Sequence, residues 1–450
     1  MRTKSARGKK LVVVAVIYTH SLGFLIDFSH VDLYSFRIKP TEFLSPLSLQ
    51  MTDDDQRIRL VLQEAVNKYY GKNLTLISAD GVAVAGGKGF LSSIVRFNLV
   101  WSVNGTGLTD DDIPKTLIFK VPYLKLADVI LSKASGEQTE VRKVCDANED
   151  WITKIHNTEC LIYSLFGKTP PVPVAICYMS ELRTDHQAGM LVLQNLQEIG
   201  HAWEDVSQGL NLKQLHSMID LLCRLHTWSL ETDSWSANVP SYKEYLRWMT
   251  TMPPDTISEL MKKLSVTLQR ITGTSVDIGL VKRLTSEHFA LAEEQLCDEK
   301  LPIVLVHGDL WVNNIFFDNS ADGSSVVGII DWQLAHRGTC LDDLVHLMVW
   351  NVDAELRRSH QDEILEHYFD TMSRFVSDTE LPSLQQLKDA YNKTFAIQAM
   401  FFVIDFSCIV NEIVDAASKK AEKQTATIAW RLASAYEDAV QYLRGHDLLV

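Results

Sequence analysis

The sequence predicts an α+β chain of two lobes, a small antiparallel sheet followed by a larger, mainly helical part. Three observations predict it. Strand-like patterning dominates from about residue 50 to 125, helical periodicity dominates after residue 205, and two short strand signals, around 303–306 and 314–330, interrupt the helices. With 450 residues, 46% of them hydrophobic, the chain can bury one large core or two smaller ones. The organisation read from this is an N-terminal extension (residues 1–48), a sheet lobe with a helix (49–196) and a helical lobe (197–450).

In the first lobe Val95, Phe97, Leu99 and Trp101 alternate with Arg96, Asn98 and Val100, the period of a half-buried strand. A turn with Asn104, Gly105, Gly107 and Asp110 to Asp112 separates it from Leu117-Ile118-Phe119-Lys120-Val121, a strand that Pro122 ends. Helical patterning then runs from near Glu137 to Phe166, and Met190 to Leu193 reads as a short apolar strand. In the second lobe Asn211 stands where it would cap a helix whose apolar face is Leu212, Leu215, Met218, Leu222 and Leu225. Thr256 and Glu259 have capping-box spacing for another helix, closed by Gly273.

The formal net charge of −14 argues against a general nucleic-acid binder, which needs a basic field. Seven scattered cysteines without a C-x-x-C pair form neither a zinc site nor a disulfide framework, and fit a reducing, cytoplasmic compartment. Arg2, Lys4, Arg7, Lys9 and Lys10 precede the apolar run Leu11 to Phe28, the layout of a signal or anchor segment. The run is broken at His20 and Ser21, so membrane contact is expected only through this extension.

The chemistry concentrates in His307-Gly308-Asp309-Leu310-Trp311-Val312-Asn313-Asn314 and Ile329-Ile330-Asp331-Trp332. Two apolar runs join them around Asp322-Gly323, a hairpin turn signal. A hairpin symmetric about that dipeptide sets Asn314 opposite Asp331, with Asp309 close by. An amide oxygen and a carboxylate side by side suit Mg²⁺, which prefers a few hard oxygen ligands from protein and the rest from phosphates and water. A third oxygen, on Asp309, is then free to orient the proton of an attacking hydroxyl.

This segment resembles the catalytic core of the aminoglycoside-phosphotransferase and choline-kinase superfamily. Its H-G-D-L-W-x-N-N and I-I-D-W-Q wording is closest to the ecdysteroid-kinase-like (choline-kinase-like) branch. The resemblance implies a two-lobed, protein-kinase-like fold and ATP- and Mg²⁺-dependent phosphoryl transfer to a small-molecule alcohol, such as an amine alcohol or a steroid. It implies that Asp309 is the base, that Asn314 and Asp331 hold metal, and that Asp343 braces the catalytic loop. Lys120 resembles the β3 lysine that reaches the phosphates, and Glu159 its carboxylate partner, with Glu149 competing for that place. Gly86, Gly87 and Gly89 form a glycine turn whose backbone approaches phosphates, although Ser92 takes the last glycine position of G-x-G-x-x-G. The backbone from Gln194 to Leu196 would meet adenine, where relatives often carry an acidic pair.

Blander readings hold elsewhere. His226 and His307 read as bracing histidines, and Trp311 and Trp332 either line a pocket or fill the core. A protein kinase is disfavoured because Gly308 replaces the arginine of H-R-D and the stretch from Asp331 to Asp342 leaves little room for an activation segment. A catalytically silent nucleotide-binding scaffold remains the rival from another class.

Overall fold

The computed structural model describes residues 53–84, 92–103, 105–122, 138–203, 205, 207–241, 244, 254–283, 301–320, 322–376, 381–414 and 419–446. The expected extension (1–48) and the glycine turn at Gly86, Gly87 and Gly89 lie outside these residues.

The first element is a helix, α1 (Asp53–Tyr70), not the strand expected from residue 50 onward. Its apolar residues recur at helical spacing: Leu62, Ala65 and Val66 are fully buried and Ile58, Val61 and Tyr69 partly so. The sheet follows as β1 (Thr75–Ala83), β2 (Ser92–Ser102) and β3 (Thr116–Pro122), then helix α2 (Gln138–Phe166), then β4 (Cys177–Glu181) and β5 (Met190–Gln194). The strands lie in the order β1-β2-β3-β5-β4, and every pair is antiparallel. Val95, Phe97, Leu99 and Trp101 of β2 are buried in a small core shared with α1, as their alternation predicts. Trp151, Ile152 and Ile155 of α2 belong instead to a second, larger core that continues through the helical lobe. Helix α2 therefore couples the sheet to the rest of the molecule.

That lobe comprises β6 (Gly200–His201), α3 (Leu212–Glu231), α4 (Pro254–Thr272), α5 (Ile278–Arg283), β7 (Ile303–Val306), β8 (Ile315–Asp318), β9 (Val326–Ile329), β10 (His336–Thr339), α6 (Asp342–Asn351), α7 (Ala354–Met372), α8 (Leu384–Val414) and α9 (Lys419–Gly445). Asn211 caps α3 with a full capping box, its side chain taking the Gln214 N–H while the Gln214 side chain takes the Asn211 N–H. Helix α4 starts at Pro254, two residues before Thr256, so proline at a helix start wins over the expected cap. Gly273 closes it with a left-handed φ of +79°.

Two small sheets, β6-β8-β9 and β10-β7, carry the segments around Asp309 and Asp331. The β8–β9 hairpin pairs Ile315 with Ile329 and Phe316 with Gly328, then slips one residue at a bulge by Phe317. The symmetric register expected from Asp322-Gly323 is thus off by one. Asn314 accepts the Ile330 N–H (3.0 Å) and does not face Asp331 in the ladder.

Candidate active site

Strand β3 presents Lys120 at its buried end, paired in register with Leu191 of β5. The Lys120 ammonium lies 2.6 Å from Glu159 Oε2 on α2 and 2.6 Å from Asp331 Oδ1 after β9. Sequence alone left Glu159 and Glu149 in competition; Glu159 makes the pair. Burial opposes the lysine's charge, but Asp331 and Glu159 outweigh it and push its pKa up, so Lys120 stays protonated. Burial raises Glu159 to about 7, against the pull of Lys120, and its Oε1 finds no hydrogen-bond partner among the described residues.

Asp331 reaches this position through a left-handed backbone, φ 67° and ψ 55°. It is the one non-glycine residue with positive φ among the described residues. Such a conformation costs of order 1–3 kcal/mol and persists where the surroundings impose it, typically at functional sites. This turn, not ladder register, swings the carboxylate toward Lys120.

Asp309 and Asn314 sit on one tight turn. Trp311 donates its N–H to the Asp309 carbonyl (3.0 Å) and Asn314 its own to the Trp311 carbonyl (2.9 Å). The Asn314 amide nitrogen donates to both the Asp309 carbonyl (2.9 Å) and Asp309 Oδ2 (3.1 Å). Its oxygen is thereby turned away as an acceptor. Burial, then the charge of Asp331, raises the Asp309 pKa well above the ordinary carboxylate range.

The segment is held from beneath. Asp343 accepts the His307 N–H (2.6 Å) and the Gly308 N–H (3.0 Å), the bracing role implied by resemblance. His307 accepts the Asp309 N–H at Nδ1 (3.1 Å), so Nε2 carries the proton and donates to the Ile330 carbonyl (2.9 Å). Burial lowers its pKa to about 4, and it remains neutral. Gly308 has φ +82°, and a Cβ there would meet the Leu334 carbonyl at 2.5 Å, so no arginine fits. Trp332 is fully buried between His307 (ring centroids 4.5 Å) and Phe166 (5.0 Å), which makes it core rather than pocket lining. His226 is core as well, with Nδ1 2.8 Å from the Tyr368 hydroxyl.

Gln194 serves the sheet. Its N–H goes to the Ile176 carbonyl (2.8 Å) and its Oε1 takes the Ile176 N–H (3.2 Å). Leu196 opens the 3₁₀ turn Leu196–Glu198, where the N–H has no acceptor within the turn. Its side chain packs on Gly328 rather than standing open. The stretch after Asp331 is a 3₁₀ turn (Trp332–Leu334) and β10, which pairs with β7 and leads into α6. Sequence reasoning missed Asn351, at the end of α6, whose side chain binds the turn at Leu310 and Val312. A lone asparagine in an apolar run gives no signal for that.

The donor set these residues offer is all oxygen: the Asp331 carboxylate, the Asn314 amide oxygen and Asp309. Among the described residues no group of three or more His, Cys, Asp or Glu side chains could hold a metal ion. An all-oxygen set of this kind fits Mg²⁺ shared with phosphates and water.

A lysine–glutamate pair under a sheet, an aspartate–asparagine turn and a left-handed aspartate thus meet in one site. The chain belongs to the family DUF1679, described as "Uncharacterized oxidoreductase dhs-27", which it matches over residues 62–445. It is 25% identical over 368 residues to the uncharacterized oxidoreductase dhs-27 of Caenorhabditis elegans, a match that covers 77% of this chain and 42% of that protein. Structural neighbours are aminoglycoside phosphotransferases and choline or ethanolamine kinases. The choline kinase of Cryptosporidium parvum (11% identity, TM-score 0.47) matches over 88% of this chain and 97% of its own. A putative aminoglycoside phosphotransferase of Ralstonia eutropha (14% identity, TM-score 0.42) matches over 85% and 98%.

Proposed function

We propose that this chain transfers the γ-phosphoryl group of ATP to a hydroxyl of a small molecule. The observation that carries the reading is the meeting of Lys120, Glu159 and Asp331 beside the Asp309–Asn314 pair. In the step, the acceptor oxygen bonds to the γ-phosphorus as the bond to the ADP oxygen breaks, and the hydroxyl proton passes to Asp309. Lys120 grips the phosphates and Glu159 keeps it seated. Leu196 offers its backbone to the adenine edge. Asn314 and Asp331 would hold Mg²⁺, which when bound neutralises charge on the phosphates. For Asp331 this requires Lys120 to shift from carboxylate to phosphate.

The acceptor is a small molecule because nothing in the ordered stretch from Asp331 to α6 resembles a protein-substrate platform. The oxidoreductase in the nematode relative's description belongs to a protein of which this chain spans 42%. Cys160, Cys177, Cys223 and Cys340 are free thiols, which fits a cytoplasmic location. Among the described residues no helix is long and apolar enough to cross a membrane.

Incubation of the protein with a metabolite extract and labelled ATP should give Mg²⁺-dependent phosphate incorporation that vanishes in Asp331→Ala. Equal thermal stabilisation by Mg·ATP in wild type and Asp331→Ala would refute the metal assignment.

A further inference from the structure

One helix holds the catalytic segment at two points. Asp343 stands in the first turn of α6 and takes the N–H groups of His307 and Gly308, just before Asp309. Asn351 ends α6, eight residues and about 12 Å further along the axis at 1.5 Å per residue. There its Oδ1 accepts the Val312 N–H (2.8 Å) and its Nδ2 donates to the Leu310 carbonyl (2.7 Å). The second Nδ2 hydrogen goes to the Leu347 carbonyl (3.1 Å). A flipped amide would set its oxygen against two carbonyls, so the network fixes the orientation. Asn351 as a whole is 1% exposed.

Leu310 and Val312 flank Trp311, the residue whose N–H and carbonyl close the turn between Asp309 and Asn314. That turn sets the distance from the proposed base to the proposed metal ligand. The end of α6 is itself pinned. The Asn351 carbonyl takes the Leu210 N–H (2.7 Å), and the Trp350 carbonyl takes Arg431 Nη1 (2.8 Å) from α9. Neither an aspartate nor an aliphatic side chain of this size can donate and accept at once across that gap.

We infer that Asn351 is a positioning residue for phosphoryl transfer, holding the Asp309–Asn314 turn in its productive shape without touching nucleotide. The inference rests on the phosphotransferase reading, so wild-type activity is established first. Phosphate release from Mg·ATP, with water as acceptor, serves as the assay. In Asn351→Asp at about pH 8 the new carboxylate faces the Leu310 carbonyl, and kcat should fall roughly 10- to 100-fold, with Kd for Mg·ATP within about threefold of wild type. Between about pH 8 and about pH 6 a buried carboxyl takes up a proton and regains a donor toward Leu310. The ratio of variant to wild-type kcat should then climb several-fold, which a purely structural role would not produce. Hydrogen exchange of the 309–314 amides should be faster in the variant at the higher pH. If Asn351→Asp does not fold, Asn351→Ser is read by the same split between kcat and Kd. Wild-type kcat in the folded variant, or parallel loss of kcat and Mg·ATP affinity, overturns the inference while the phosphotransferase reading stands. A wild-type protein that binds Mg·ATP but transfers phosphate to nothing sinks both.

Discussion

The two sides of the segment from His307 to Asn314 obey opposite rules. Toward α6, the side chains that hold the segment's backbone are paired: Asp343 takes two N–H groups, both His307 nitrogens are bonded, and the Asn351 amide uses every hydrogen. Toward the sheet lobe the chemistry is left in tension. Two carboxylates, one buried and one half-buried, share one lysine, Glu159 Oε1 lacks a partner among the described residues, and Asp331 sits in a strained backbone. A buried polar network that is fully satisfied rigidifies its surroundings, whereas an incomplete one is costly unless a ligand completes it. On the proposed function, the underside holds shape and the upper side meets charge that arrives with phosphate and metal.

The largest effect should come from the upper side, at Asp309. Asp309→Asn keeps the size of the side chain and removes only the proton acceptor. Turnover should fall by about 10²–10⁴, the usual contribution of a positioned base, with Mg·ATP binding nearly intact. Single-turnover kinetics beside a nucleotide titration checks this, and full activity in the variant would move the base elsewhere. On the underside the damage should appear as stability instead. Asp343→Ala strands the buried His307 and Gly308 N–H groups, at about 1–3 kcal/mol each, so urea unfolding should lose roughly 2–6 kcal/mol. An unchanged urea midpoint would mean that the brace is ornamental.

The same division explains what the sequence disclosed. The upper side was legible because its residues are chemically specific and closely spaced: Asp309, Asn314, Asp331 and Lys120 announce themselves by type and interval. The β2 alternation and the Asn211 cap were legible because each follows a local rule. Helix α1 was missed although Leu62, Ala65, Val66 and Tyr69 carry its period, because the neighbouring strands coloured the reading of the whole stretch. The hairpin register was missed because a bulge at Phe317 leaves no mark in composition, and the left-handed turn at Asp331 does what register was expected to do. Asn351 was invisible because its partners are backbone groups of Leu310 and Val312, some forty residues away, and any sequence supplies those.

The smallest effect is a change of slope with pH, and it tests whether the underside is balanced. Burial lowers His307 to about 4, below its unfolded value near 6.5, so its contribution to stability is complete above about pH 6.5 and is lost as pH falls through about 4. Burial raises Asp343 to about 7, above its unfolded value near 3.9, so its contribution is complete below about pH 3.9 and is lost as pH rises through about 7. Between about pH 6.5 and 4 the two therefore run in opposite directions and flatten the dependence. The core histidines His226, at about 3, and His336, at about 4, both lowered by burial, act with His307. Asp343→Asn removes the opposing carboxyl and leaves the histidines in place. Urea titrations of that variant at intervals from about pH 7 to 4.5 should show stability falling more steeply on acidification than in wild type. Parallel curves offset by a constant would show that Asp343 does not titrate against His307, and the underside would then be held by geometry alone.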